Sequence, residues 1–176
     1  MSDLPSVLAG LPGGPLTVTT VATAVPDLHA SMKTYWETLG WGPWKVYEQG
    51  PPQLTDMRYR GQPAEFSFLV AGTQAPGGFS FWLCQPLEGP SAYRDLIEEG
   101  HPGPHFVALW RKSEEESLAV RRRLADLGAT ELMSARLPGS IEFTFIDARS
   151  VCGLIIETGS GSSTAQPLHS TYPEGA

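Results

Sequence analysis

Few side chains in this sequence could do chemistry in an apolar setting, and two stand out. Glu157 lies inside the run LIIETG, and His105 opens the run HFVALW. A carboxylate facing inward from an apolar strand is costly to bury without a partner or a task. If the histidine shares its pocket, each group can draw the other's pKa toward neutrality, and the pair can pass a proton to and from a bound molecule. His101, in the Gly-Pro-rich stretch EEGHPGPH, is a weaker acid–base candidate, and His29 and His169 read as surface residues. Cys84, in FWLCQP, reads as a small inert hydrophobe. Two cysteines, Cys84 and Cys152, are too few for a disulfide framework, and a reduced, cytoplasmic setting is the expectation.

The elements that must position these residues follow from periodicity and punctuation. LTVTTVATAV, residues 16–25, is rich in β-branched residues and ends at Pro26, so it predicts a strand. Asp27 caps a predicted helix in which Leu28, Met32, Tyr35, Trp36 and Leu39 recur at helical spacing, with Gly40 as its stop. Further strands are predicted near 44–49, 55–60, 64–71 and 79–85, and a short helix at 91–99. The run 105–110 opens a second half. Ser113 and Glu116 then form a capping box for a helix reaching Leu127, with Gly128 as its stop, and strands follow at 130–137, 141–147 and 153–158. Each half reads as a βαβββ unit. The expected fold is α+β, two such modules forming a curved mixed sheet around a ligand cavity. Residues 1–15 read as a flexible lead-in, 16–100 and 101–158 as the modules, and 159–176 as a C-terminal tail.

Composition narrows the partners. A net charge of −7 argues against nucleic acid and anionic membranes, because phosphates need a basic face. The basic run Arg121–Arg123 ends a predicted helix that begins with three glutamates, which is how charges complement a helix dipole. The sequence contains no apolar run long enough to span a membrane and no secretory pattern at its start.

Three stretches carry a family resemblance: VATAVPDLHASMKTYWETLGWGPW, FWLCQPLEGPSAYRDLIEEGHPGPHFVAL and FTFIDARSVCGLIIETG. In order and spacing they resemble the glyoxalase, methylmalonyl-CoA epimerase and bleomycin-resistance group of the vicinal oxygen chelate superfamily, over roughly residues 16–158. The resemblance implies a homodimer and a metal held by one residue from each of four strands. Carried over position by position, those ligands fall on Thr20, Trp82, His105 and Glu157. Neutral threonine is a poor ligand and indole offers only an N–H donor, so the expectation is that the chain has no metal and no other cofactor.

Alternation along the strands sketches the cavity wall. If Trp82 faces inward, so do Ser80 and Cys84; Thr20 and Glu157 line other walls; and an inward His105 brings Val107 and Leu109 with it. Trp41, Trp44, Tyr47 and Tyr59 either close the mouth or belong to the core. Two functions of different class remain open. One is a metal-independent acid–base enzyme of isomerase, epimerase, lyase or cyclase type. It would act on a small, largely apolar, aromatic or polyketide-like carbonyl compound, with Glu157 as base and His105 as proton partner. The other is a non-catalytic binding, sequestering or self-resistance protein, in which Trp82 and the mouth aromatics hold the ligand.

Overall fold

The computed structural model describes residues 14, 16–100, 103–138, 141–161 and 167–175; His101 lies outside them. The first half runs β1 (Thr20–Ala24), α1 (Leu28–Leu39), β2 (Trp44–Gln49), β3 (Thr55–Tyr59), β4 (Gln62–Pro63), β5 (Phe68–Gln74) and β6 (Ser80–Pro86). After α2 (Ala92–Glu99) come β7 (Phe106–Arg111), α3 (Glu114–Asp126), β8 (Thr130–Leu137), β9 (Ile141–Ala148), α4 (Arg149–Cys152) and β10 (Leu154–Ser160), then β11 (Ser170–Tyr172).

The helix ends use the residues their chemistry favours. The Asp27 side chain accepts the Ala30 N–H at 2.9 Å, and Gly40 turns the chain out of α1 in the left-handed region at φ +67°. At α3 the Ser113 hydroxyl accepts the Glu116 N–H at 3.2 Å, while the Glu116 carboxylate takes the Lys112 N–H, one residue earlier than a reciprocal box requires. Arg121 does more than complement the helix end. It reaches down from α3 to donate to Thr144 and Glu142 on β9.

All strands join one curved, unclosed mixed sheet in the order β11-β2-β5-β6-β1-β7-β10-β9-β8-β3-β4. At its centre β1 and β7 run antiparallel, with Thr20 opposite Ala108 and Ala22 opposite Phe106. Each has a parallel partner on its outer side, β6 beside β1 and β10 beside β7. The β3–β4 hairpin departs from a simple two-module arrangement: it leaves the first half and pairs through β3 with β8 at the far edge of the second. There the Tyr59 hydroxyl donates to the Asp95 carboxylate of α2 at 2.7–2.8 Å. Part of the tail is ordered as a strand, because β11 pairs with the edge of β2.

The two faces of the sheet bury different cores. On the convex face α1 packs over Trp44, Val46, Phe81 and Leu83, and α3 over Leu109, Ile146 and Ile156. The concave face carries Ala22, Phe68, Cys84, Phe106, Phe143, Phe145 and Ile155, and α2 closes one end of it with Ala92, Tyr93 and Leu96. Period-two alternation thus sends every second residue of the central strands into the concavity.

Candidate functional site

A cavity of about 460 Å³ occupies the concave face. Thr20 comes to it from β1, Tyr47 and Gln49 from β2, Trp82 and Cys84 from β6, and Glu157 from β10. Phe106, Ala108 and Trp110 line it from β7, Phe68 and Phe143 from β5 and β9, and Tyr93 from α2. Thr20, Trp82, Cys84 and Glu157 are therefore brought together where alternation places them.

His105, Trp44 and Tyr59 are not. Residues directly opposite across an antiparallel pair share a face, so Phe106 and Ala108 face inward with Ala22 and Thr20. His105 takes the other face, one residue out of register. Its backbone N–H donates to the Ala22 carbonyl at 2.8 Å, and its Nδ1 accepts the Ala24 N–H at 2.9 Å and lies 2.9 Å from the Thr23 hydroxyl. Counting from the helix caps carries the signal that points to Phe106 instead. Thr20 stands seven residues before the N-cap Asp27, and the residue seven before the N-cap Ser113 is Phe106. Trp44 is fully buried on the α1 side, 6.1 Å from the Tyr35 ring, because Tyr47 and Gln49 hold the cavity face of β2. Tyr59 is drawn to Asp95 by the displaced hairpin.

His105 thus reads as a stitch between β1 and β7. His105→Ala is expected to cost about 1–2 kcal/mol of stability, since it leaves the buried Ala24 N–H without its acceptor. Ligand affinity should be unchanged. A loss of affinity without a loss of stability, in paired urea and calorimetric titrations, would return the histidine to the site.

The resemblance carries the metal ligands to Thr20, Trp82, His105 and Glu157, and with His105 turned away the residues facing inward are Thr20, Trp82, Phe106 and Glu157. One hydroxyl, one indole, one phenyl ring and one carboxylate do not fit a divalent ion, which needs three or more good donors from the protein. Among the described residues no group of three or more His, Cys, Asp and Glu is placed to hold one. Asp147 is engaged with Arg149 at 2.7 Å, and Glu142 lies under α3 with Arg121 at 3.3 Å, so neither completes the set.

Glu157 dominates the electrostatics. Among the described lining residues it is the only carboxylate, and no lysine, arginine or histidine accompanies it. Desolvation by the apolar wall pushes its pKa from the ordinary 4.5 up to about 7. Tyr93 and Cys84 are hydrogen-bonded to each other beside it, and burial raises both well above their usual values, so phenol and thiol stay neutral. Tyr93 escaped the sequence reading because its spacing marks a core-facing helix position, and a core face and a cavity wall have the same pattern.

The raised carboxyl has a cost in stability with a definite sign. Between pH 4.5 and about 7 the folded chain holds a proton that the unfolded chain has released, so stability falls as pH rises across that window. Glu157→Gln removes the penalty. At pH 8 the variant should be more stable than the parent by at most about 3 kcal/mol, and the advantage should vanish near pH 4. Urea unfolding at both pH values measures this, and a pH-independent difference would mean that the carboxyl is not shifted.

No family model matches the sequence, and no curated protein sequence does. Solved structures do match in fold. Methylmalonyl-CoA epimerase from Mycobacterium tuberculosis aligns with a TM-score of 0.54 at 21% identity, covering 87% of this chain and 93% of the epimerase. A hypothetical protein from Bacillus halodurans C-125 aligns with a TM-score of 0.55 at 19% identity, over 86% of this chain and 98% of that one. A methylmalonyl-CoA epimerase in complex with methylmalonyl-CoA and NH4+ gives a TM-score of 0.54 at 18% identity, over 87% of this chain and 100% of that one. Together with the paired parallel strands around a central antiparallel contact, these matches mean that the chain has the vicinal oxygen chelate fold.

Proposed function

We propose that this protein is a metal-independent acid–base enzyme of isomerase type, in which Glu157 moves a proton next to a carbonyl of a small, largely apolar ligand. The observation that carries this reading is a lone carboxylate set in an apolar cavity of ligand size. A carboxyl that titrates near neutrality is suited both to accept a proton and to return it. The carboxylate removes a proton from the carbon beside the carbonyl, and the electron pair left behind moves onto the carbonyl oxygen. The resulting acid returns the same proton to another carbon of the conjugated system, so no co-reactant is consumed. Tyr93, a neutral phenol on the same wall, supplies the hydrogen bond that a developing enolate oxygen needs, the role that the sequence pattern suggests for His105. A single base favours a proton shift on one face of the substrate over inversion between two bases. Isomerase-type chemistry is also in keeping with the epimerases among the fold neighbours.

The test is hydrogen exchange. The protein, treated with chelator and checked by elemental analysis, is incubated in D2O with a panel of unsaturated and α-substituted ketones, and NMR follows C–H loss beside the carbonyl. Exchange that survives metal removal is expected. Exchange lost on chelation and restored by a divalent ion would overturn the metal-free reading. Tight binding with no exchange across the panel would establish the second reading, a binding or sequestering protein. That reading is favoured by one observation: Glu157 has no hydrogen-bond or ion-pair partner among the described residues with which to share a proton.

A further inference from the structure

Trp82 and Trp110 are held in an unusual way for large aromatic side chains. Both line the cavity, and they are 37% and 40% exposed, although tryptophan is usually well covered. Among the described residues neither ring meets another aromatic ring, whereas Trp41 and Trp44 on the convex side sit in a cluster with Tyr35 and Phe81. Each indole also lies across from a glycine on the neighbouring strand. Trp82 is paired in register with Gly72 of β5, and Trp110 with Gly159 of β10. A Cβ on Gly72 would come 3.1 Å from the Trp82 indole, and one on Gly159 would come 1.6 Å from that of Trp110. The Trp110 ring therefore rests on backbone that any other residue at 159 would deny it, whereas a side chain at 72 would press on the Trp82 ring and displace it by a few tenths of an ångström. They lean to opposite sides of β1, so they flank the floor formed by Thr20 and Ala108.

An apolar core gains nothing from this arrangement, because filling space is better served by a covered ring. A cavity that takes a flat π-system gains two ring surfaces, each already seated against a glycine of the neighbouring strand. We infer that Trp82 and Trp110 are the specificity-determining residues of the cavity, and that its ligand is a planar, fused-ring aromatic carbonyl compound rather than an aliphatic one or a coenzyme A thioester. This inference rests on reading the cavity as the ligand site. Of two neighbouring grooves, the one that shares Gln49 and Leu137 with the cavity carries Glu48, Glu65 and Glu88 beside His169, and the one that shares Tyr47 and Trp82 carries Lys45, so the charge around the cavity is net negative among the described residues. That sign of charge opposes the phosphates of a coenzyme A ester.

The probes are 2-acetylnaphthalene, its saturated decahydro analogue with the same carbon skeleton, and propionyl-CoA, each titrated by calorimetry and by tryptophan fluorescence into the intact chain. The naphthyl ketone should bind at least about tenfold tighter than the saturated ketone and quench the fluorescence. Trp82→Leu and Trp110→Leu should each weaken it about threefold to tenfold, with little change for the saturated ketone. Melting curves establish that the variants fold; Trp110→Phe, which keeps a ring, should retain most of the affinity and serves if the leucine variant does not fold. The inference is overturned if the two ketones bind within twofold of each other, if neither binds below millimolar concentration, if affinity is indifferent to both tryptophans, or if propionyl-CoA binds more tightly than either ketone. Its failure is distinguishable from that of the proposed reaction. Equal exchange rates on both ketones would sink the aromatic preference and leave the Glu157 chemistry standing, whereas tight naphthyl binding without exchange supports the preference and removes the chemistry.

Discussion

Replacing Glu157 with glutamine is expected to lower turnover by about 10²–10⁴-fold while leaving ligand affinity within a few-fold of the parent. The range is that of losing a positioned general base. Glutamine keeps the shape and a carbonyl oxygen but cannot hold a proton at neutral pH, so binding and chemistry separate in this variant. The parent's rate should rise with pH and level off above about 7, where the carboxylate form prevails in the free protein. That limb should be missing from the residual activity of the variant. His105→Ala supplies the control, because its side chain lies on the other face of β7 and should leave the rate per folded molecule unchanged. The D2O exchange assay measures all three proteins, and full activity in Glu157→Gln would exclude this residue as the base.

Phe145→Ala is expected to cost about 3–5 kcal/mol of stability, a large part of what a domain of this size has to lose. Phe145 on β9 is completely buried at the meeting point of the concave core. Its ring lies 4.8 Å from Phe106, 5.3 Å from Tyr93 and 6.1 Å from Phe143, in edge-to-face geometry with all three. Those three rings line the cavity and Phe145 does not, so it supports the wall from behind. Its removal should therefore weaken ligand binding as well as stability, because Tyr93 and Phe106 lose the surface that sets their rotamers. Phe145→Leu, which refills most of the volume, should recover more than half of the loss. A urea midpoint shift worth less than about 1 kcal/mol for Phe145→Ala, well under the usual cost of an emptied core site, would show that the concave core is not packed through this ring.

How much could be read from the chain alone depends on which physical signal each feature carries. Caps and turns are local, and Asp27, Gly40 and Ser113 act at the helix ends where their chemistry predicts. Alternation in β6 and β10 is also local, so the sequence shows that Trp82 shares a face with Cys84, and Glu157 with Ile155, while the choice of that face as the inward one comes from the family resemblance. For the cavity the sequence suggests apolar walls around a Glu157–His105 pair, and the structure places the carboxylate there and not the histidine.

What the tertiary structure decided is everything that depends on which strand lies beside which. Period two says that His105 and Phe106 face opposite ways, but not which of them faces in; the pairing of Phe106 with Ala22 settles that and exchanges a histidine for a phenyl ring in the site. The β3–β4 hairpin alternates equally well against either half of the sheet, and only its pairing with β8 removes Tyr59 from the cavity. Tyr93 and Trp110 enter the site from a helix face and a strand that the sequence marks simply as apolar. By itself the sequence determined most of the elements and their caps, because these rest on interactions between near neighbours in the chain. Register, the phenol beside Glu157 and the two glycine-seated indoles were left to the fold, because they arise from contacts between residues far apart in sequence, where a shift of one position reverses every side chain.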